Sequence, residues 1–310
     1  MDMTDLSMVP TRRRSPRRNR TVVTFLDIEN VAEYLRVNPK VLGGYRQEMS
    51  WYHALQTIFM WHNETLNIWS HLIGTLCFVC LLLITVANQQ RFTPQWPLLI
   101  FDLAAVYTLS ISTLFHTCLC ISKSHFQFWR KLDFTGILVV MFGMYWPFCY
   151  YSFGCIGSDG RNWFVLYVSV AGALATLCLG VVLLPVFQSN RFHVFRPLIF
   201  AIMIIWGFTP VLHIAAVDWE VNAIRNAVVL TMSMFALVIV GGLLYMTRWP
   251  ESVFHANKLS AYGFHSHFLF HVCVVIGLVT FHVGNVVLYK WRESQGGCSI
   301  STSFVQANPV

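Results

Sequence analysis

His267 and His271 stand four residues apart in the run FHSHFLFH. On a helix that spacing sends both rings off one face, where two imidazoles can share a metal ion. His265, two residues before His267, points elsewhere. A third ligand has to come from another segment at the same depth, and His116 in SISTLFHTCLC is the candidate. Ser112 lies four residues before it, one turn away on the same helix face, and Asp133 in KLDFTG supplies a carboxylate. Three neutral imidazoles are a catalytic type of zinc set, because the fourth tetrahedral position stays open for water. Zinc lowers the pKa of that water from ~15.7 toward ~7. Asp133 then has the chemistry of a general base, and Ser112 that of a group orienting the water or the substrate oxygen. The residues alone leave two alternatives open: a purely structural zinc, and an interhelical hydrogen-bond network without metal.

The elements that must position these groups follow from composition. Hydrophobic residues make up 56% of the 310 and charged residues only 11%, against roughly 25% charged in an average soluble domain. Mean hydropathy is +0.57. Soluble, disordered and fibrous classes are thereby excluded, and the chain's main solvent is lipid. The net charge of +7 then concerns sidedness, and no nucleic-acid partner is expected. Seven apolar runs are long enough to cross ~30 Å of hydrocarbon as helices: 68–87, 97–120, 133–153, 163–187, 197–217, 226–247 and 268–289. They are continuously apolar and not alternating, which rules against a barrel. Pro147 and Pro210 fall inside spans, where neighbouring helices tolerate them. The fold class is an all-α membrane protein, a seven-transmembrane helix bundle.

Sidedness is read from the cations. Nine Lys and Arg precede the first span, seven lie in the even loops and five on the opposite side. The positive-inside rule therefore predicts a cytosolic N-terminus and an outside or lumenal C-terminus. That topology puts the end of span two, the start of span three and the start of span seven on the cytosolic side. His116, Asp133, His267 and His271 then share one layer, and ionisable groups inside a membrane default to function. The expected organisation is a disordered basic cytosolic tail over 1–24 and a juxtamembrane cytosolic segment with short helices over 25–67. The transmembrane domain follows over 68–290, and a short extracellular or lumenal tail over 291–310. No cleaved leader is expected, since the first run of membrane length begins near Ile68.

Other signals are weaker. RRRSPRRNR holds six arginines in nine residues around Ser15, the composition of a disordered tail that touches anionic lipid and is tunable by phosphorylation. Glu64, Asn67 and His71 share one helix face in HNETLNIWSH; interface anchoring and packing is one reading of that face, and the one expected of His71. Asp102 and His213, nearer the outer side, are expected to cap or to bond between helices. Seven cysteines sit in or beside apolar runs and read as buried thiols. Only Cys155 and Cys298 lie in polar stretches, and no disulfide framework is expected.

NETLNIWSHLIG, the Ser112–His116 pair, KLDFTGI around Asp133, and SHFLFH together resemble the progestin and adipoQ receptor family. Within it the chain looks like the adiponectin receptors and their Golgi Raf-kinase-trapping relative. TPVLH near Pro210, RWPESVF near Pro250 and the late GGC at Gly296 to Cys298 also fit, so the resemblance covers roughly Leu26 to Cys298. Phe134 stands where the family often has Tyr, and HANKLSAYGFHSH departs from its usual PGKFD-type run. The resemblance implies zinc held by His116, His267 and His271, Asp133 contacting it through water, and a cytosolic N-terminus. It also implies ceramidase-like lipid-amide hydrolysis, with membrane lipids such as ceramide or fatty acid as partners. Alternatives are a non-enzymatic receptor for an unidentified extracellular ligand, and a Golgi scaffold that anchors a signalling kinase through its N-terminal segment. The expected location is the plasma membrane or the Golgi and endomembranes.

Overall fold

The structure, a computed structural model, describes residues 25–88, 92–155, 157–188, 195–254 and 258–298. The arginine run, Ser15 and Asn19, the acceptor in the N-glycosylation sequence Asn19-Arg20-Thr21, lie outside the described residues. Among the described residues seven helices are long and apolar enough to span a membrane: α1 (Thr65–Ala87), α2 (Trp96–Cys118), α3 (Lys123–Cys149), α4 (Gly157–Leu183), α5 (Arg196–Asp218), α6 (Asn222–Thr247) and α7 (Ser266–Ser294). In lipid a helix satisfies its own main-chain groups, which is why apolar runs of this length take this form. Pro147 lies inside α3 and Pro210 inside α5. A π-helical turn, Tyr150–Gly154, ends α3 just after Pro147. α3 begins ten residues before the expected start at Asp133. Its first turns carry Lys123, Arg130 and Lys131, so the apolar run marks only the part meant for lipid. Asp133 is consequently about three turns inside the helix.

α2 is the central helix, with Asp102, Thr108, Ser112 and His116 all buried along it. The Thr108 hydroxyl donates to the Gly136 carbonyl at 2.8 Å, tying α2 to α3. Asp102 accepts from Thr85 of α1 at 3.1 Å and pairs with His282 of α7 at 2.8 Å. His213 bonds the Tyr167 hydroxyl of α4 at 2.8 Å. Both are interhelical ties.

Ahead of α1, strands β1 (Phe25–Leu26) and β2 (Tyr45–Arg46) pair antiparallel, and a short helix runs over Trp51–Gln56. Val31, Leu35, Val41, Tyr45 and Ala54 of this segment form an apolar cluster with Phe115 and Leu119 at the end of α2 and Phe126 at the start of α3. The segment thus plugs one end of the bundle. Its helix also presents Trp51, Tyr52 and Leu55 outward, side chains suited to a membrane interface.

At the opposite end Cys155 and Cys298 form a disulfide across 143 residues, which corrects the expectation of none. The fold brings two distant polar segments together there. The Arg292 guanidinium donates to the carbonyls of Tyr151 at 2.6 Å and Ser152 at 2.8 Å. Gly296 and Gly297, both at positive φ, then turn the chain so that the Cys298 N–H reaches the Phe92 carbonyl at 3.1 Å.

Gly44 sits at φ +78, and a Cβ there would lie 2.0 Å from the Ala261 carbonyl oxygen. Left-handed backbone alone costs an ordinary residue ~1–2 kcal/mol, and the contact adds to that. Gly44→Ala is expected to lower stability by about 2 kcal/mol or more, read as a drop in Tm of the detergent-purified protein.

Candidate metal centre

His116 occupies the last turn of α2, and that helix end is buried under the N-terminal segment. Helix C-termini leave carbonyls without intrahelical partners. Here the fully buried Arg46 supplies them: its guanidinium donates to the carbonyls of His116 and of Thr117, the latter at 3.0 Å, and to the Thr57 hydroxyl at 2.9 Å. A cation at a helix C-terminus also suits the helix dipole. The first turn of α7 has the complementary arrangement. The Glu251 carboxylate accepts from the Ser266 main-chain N–H at 2.7 Å and from the Ser266 hydroxyl, while Asn38 donates to it at 2.8 Å. His265, the residue before that helix, bonds the Asn63 carbonyl at 3.0 Å and so turns away from its two neighbours.

These anchored ends bring His116, His267 and His271 together, with one ligand nitrogen from each within 4.8 Å of the others. Ring centroids are 5.2 Å apart for His116 and His267, 4.9 Å for His116 and His271, and 4.5 Å for His267 and His271. His116 Nδ1 pairs with Glu64 Oε2 at 2.8 Å, and the Asn67 amide donates to the same oxygen at 2.6 Å. With a carboxylate as acceptor, Nδ1 carries the proton, which leaves Nε2 bare. Burial alone would raise the Glu64 carboxyl, but the hydrogen bonds from His116 and Asn67 hold it below the ordinary carboxylate range. His271 Nδ1 contacts the Ser70 hydroxyl and the Asn67 carbonyl, each at 3.3 Å.

His116 Nε2 and His267 Nδ1 are buried and have no hydrogen-bond partner. Buried polar atoms are seldom left so, and here they belong to residues that converge. The donor set fits a divalent metal of the zinc type: three imidazoles, one with its far nitrogen fixed by a carboxylate. Asp133 and Ser112 line one cavity with His267 and His271. That cavity has a volume of about 320 Å³ and runs into the bundle between α3, α5, α6 and α7 past Met144, Phe148, Met203 and Phe235. It is a mostly apolar chamber whose carboxylate and imidazole groups gather at one end.

Two functional residues were not visible as such. Glu64 stands beside the histidine cluster as the partner of His116. Its spacing from Asn67 was the available signal. Arg46 reads in sequence only as one more cation ahead of the first span, and nothing local marks it as the cap of α2.

The haemolysin-III-related family model matches residues 59–282. Heptahelical transmembrane protein 1 of Arabidopsis thaliana is 28% identical over 275 residues, 85% of this chain and 81% of its own length. Progestin and adipoQ receptor-like protein 1 of Caenorhabditis elegans is 31% identical over 264 residues, 84% of this chain and 59% of its own. The adiponectin receptor protein of Drosophila melanogaster is 27% identical over 277 residues, 88% and 61% respectively. Fold and centre define a multi-pass, seven-helix membrane protein with a buried three-histidine cluster. The chain belongs to the haemolysin-III-related family, the progestin and adipoQ receptor family that its motifs resemble.

Outer partners of metal-ligating histidines typically contribute 10–100-fold in metal affinity. Glu64→Ala is therefore expected to weaken zinc binding ~10–100-fold in a chelator competition assay. An affinity equal to wild type would separate Glu64 from the centre.

Proposed function

We propose that the protein is a zinc-dependent hydrolase of lipid amides such as ceramide, inserted with its N-terminus in the cytosol at the plasma membrane or the Golgi. The observation that carries this reading is the convergence of three imidazoles, two of which line an apolar cavity together with the Asp133 carboxylate. Zinc bound by His116, His267 and His271 supplies Lewis acidity and a water of lowered pKa. The Asp133 carboxylate takes the proton of the attacking water, and the Ser112 hydroxyl, which lines the same cavity, orients that water or the substrate oxygen. The water oxygen joins the acyl carbon and the C–N bond breaks. The proton held by Asp133 passes to the leaving nitrogen, so that a fatty acid and an amine result. Met144, Phe148, Met203 and Phe235 offer an acyl chain an apolar berth. Leu198, Ile239 and Leu243 line the same cavity and are exposed on the outside of the bundle, which supports entry of the lipid from the bilayer.

The orientation is supported by the cation count and by the disulfide. Cys155 and Cys298 flank the end opposite the histidines, and disulfides persist on the oxidising side of a membrane. A second reading is a receptor whose metal is structural and whose N-terminal segment passes a signal to a cytosolic protein. Two relatives carry the word receptor in their names, and Arg46 ties that segment to the His116 main chain.

His267→Ala is expected to lose its metal and its lipid-amide hydrolysis together. Asp133→Asn keeps the metal and loses ~10²–10⁴-fold in turnover of ceramide, the usual worth of a general base. Unchanged turnover in Asp133→Asn contradicts the hydrolase reading, and metal-dependent Tm without any lipid product favours the receptor. For the topology, peptide mapping after alkylation in intact cells is expected to recover Cys155 joined to Cys298 and Asn19 without glycan. A glycan on Asn19 reverses the assignment.

A further inference from the structure

His71 has no role in the metal centre or in the proton transfer, yet it lies among the residues that do. It is on α1, 5% exposed, and neither ring nitrogen has a hydrogen-bond partner. Two buried ring nitrogens in that state are costly and call for an occupant. The ring stacks on His271 with centroids 3.6 Å apart and planes 12° from parallel. Gly74 makes that stacking possible, because a Cβ there would lie 2.9 Å from Val275 of α7 and 3.2 Å from Leu109 of α2. The helices approach closely at that point and press one ring flat on the other. Imidazole lone pairs lie in the ring plane, so two parallel stacked rings cannot aim at one ion. His71 is accordingly outside the group of three whose nitrogens converge. It does line the apolar cavity, at the same end as Ser112, Asp133, His267 and His271.

We propose that His71 binds the polar head of the lipid whose chain fills the cavity. An imidazole with one N–H and one bare nitrogen offers a donor and an acceptor. That pair matches an amide or amide-alcohol head, which presents both a carbonyl or hydroxyl oxygen and an N–H or O–H. A simple ester supplies no donor and leaves the bare nitrogen unpaired. The inference deepens the lipid-amide reading and rests on it for the class of ligand. His71 is a substrate-binding residue here and not a metal ligand.

The test uses the full chain in detergent and ceramide carrying a nitrobenzoxadiazole-labelled acyl chain, with binding read by fluorescence, zinc by elemental analysis and turnover on the same samples. His71→Phe retains an aromatic ring for the stack and removes both nitrogens. It is expected to keep its zinc and its Tm but to bind the probe ~10-fold more weakly, about 1.4 kcal/mol. His71→Gln, which restores a donor and an acceptor, is expected to recover most of the binding. If His71→Phe does not fold, the comparison runs between His71→Gln and His71→Leu, with the same direction expected. Wild-type binding in His71→Phe overturns the inference. Loss of zinc from it does so too, because His71 would then serve the metal. A wild-type protein that does not retain the probe also overturns it. A wild-type protein that binds the probe without cleaving it, while His71→Phe binds weakly, contradicts the hydrolase reading and upholds the role of His71.

Discussion

Helix ends that stop inside protein and not in water must find partners for their open main-chain groups. In this molecule that requirement builds the site. α2 ends under the N-terminal segment, where the Arg46 guanidinium takes its last carbonyls. α7 begins beside Glu251, whose carboxylate takes its first N–H. α1 begins at Glu64, whose carboxylate reaches across to His116. Each anchor is a charged group on a helix end, and each holds a histidine-bearing turn at one depth. The imidazoles converge because the ends that carry them are pinned.

The segment over residues 25–63 is therefore part of the site and not an appendage to the bundle. Arg46 comes from β2, and Asn38, which bonds Glu251, comes from the turn ahead of it. Removal of Arg46 would leave the last carbonyls of α2 buried without their donor, and removal of Asn38 would take one of three donors from the buried Glu251 carboxylate, changes that cost about 1–3 kcal/mol each. The other end of the bundle is closed separately, by the disulfide and by Arg292 on the carbonyls after α3. Between the two clamps the helices near α5 and α6 enclose an apolar chamber that communicates with the lipid-facing surface. A rigid polar end joined to an apolar chamber suits the handling of a molecule with a polar head and a long chain.

The seven helices were legible because lipid leaves so little freedom: an apolar run of ~20 residues has few other fates. His267 and His271 were legible from local spacing, and His116 from the sidedness of the loops. Asp133 was placed by the same reasoning, although α3 starts at Lys123, well before the apolar run that was expected to mark it. What escaped was long-range pairing. Glu251 lies 15 residues before the turn it caps. Cys155 and Cys298 are 143 residues apart, with no spacing rule to join them. Arg46 was counted for its charge when its hydrogen bonds are what matter. Each of these depends on where the chain returns, and periodicity carries no information about that.

The proposed zinc centre is tested most directly by X-ray absorption at the zinc edge on protein purified without added metal. One zinc per chain is expected, with three nitrogen neighbours at ~2.0–2.1 Å and one oxygen. Protein that purifies without zinc, or zinc with sulfur neighbours at ~2.3 Å, would contradict a centre built from His116, His267 and His271.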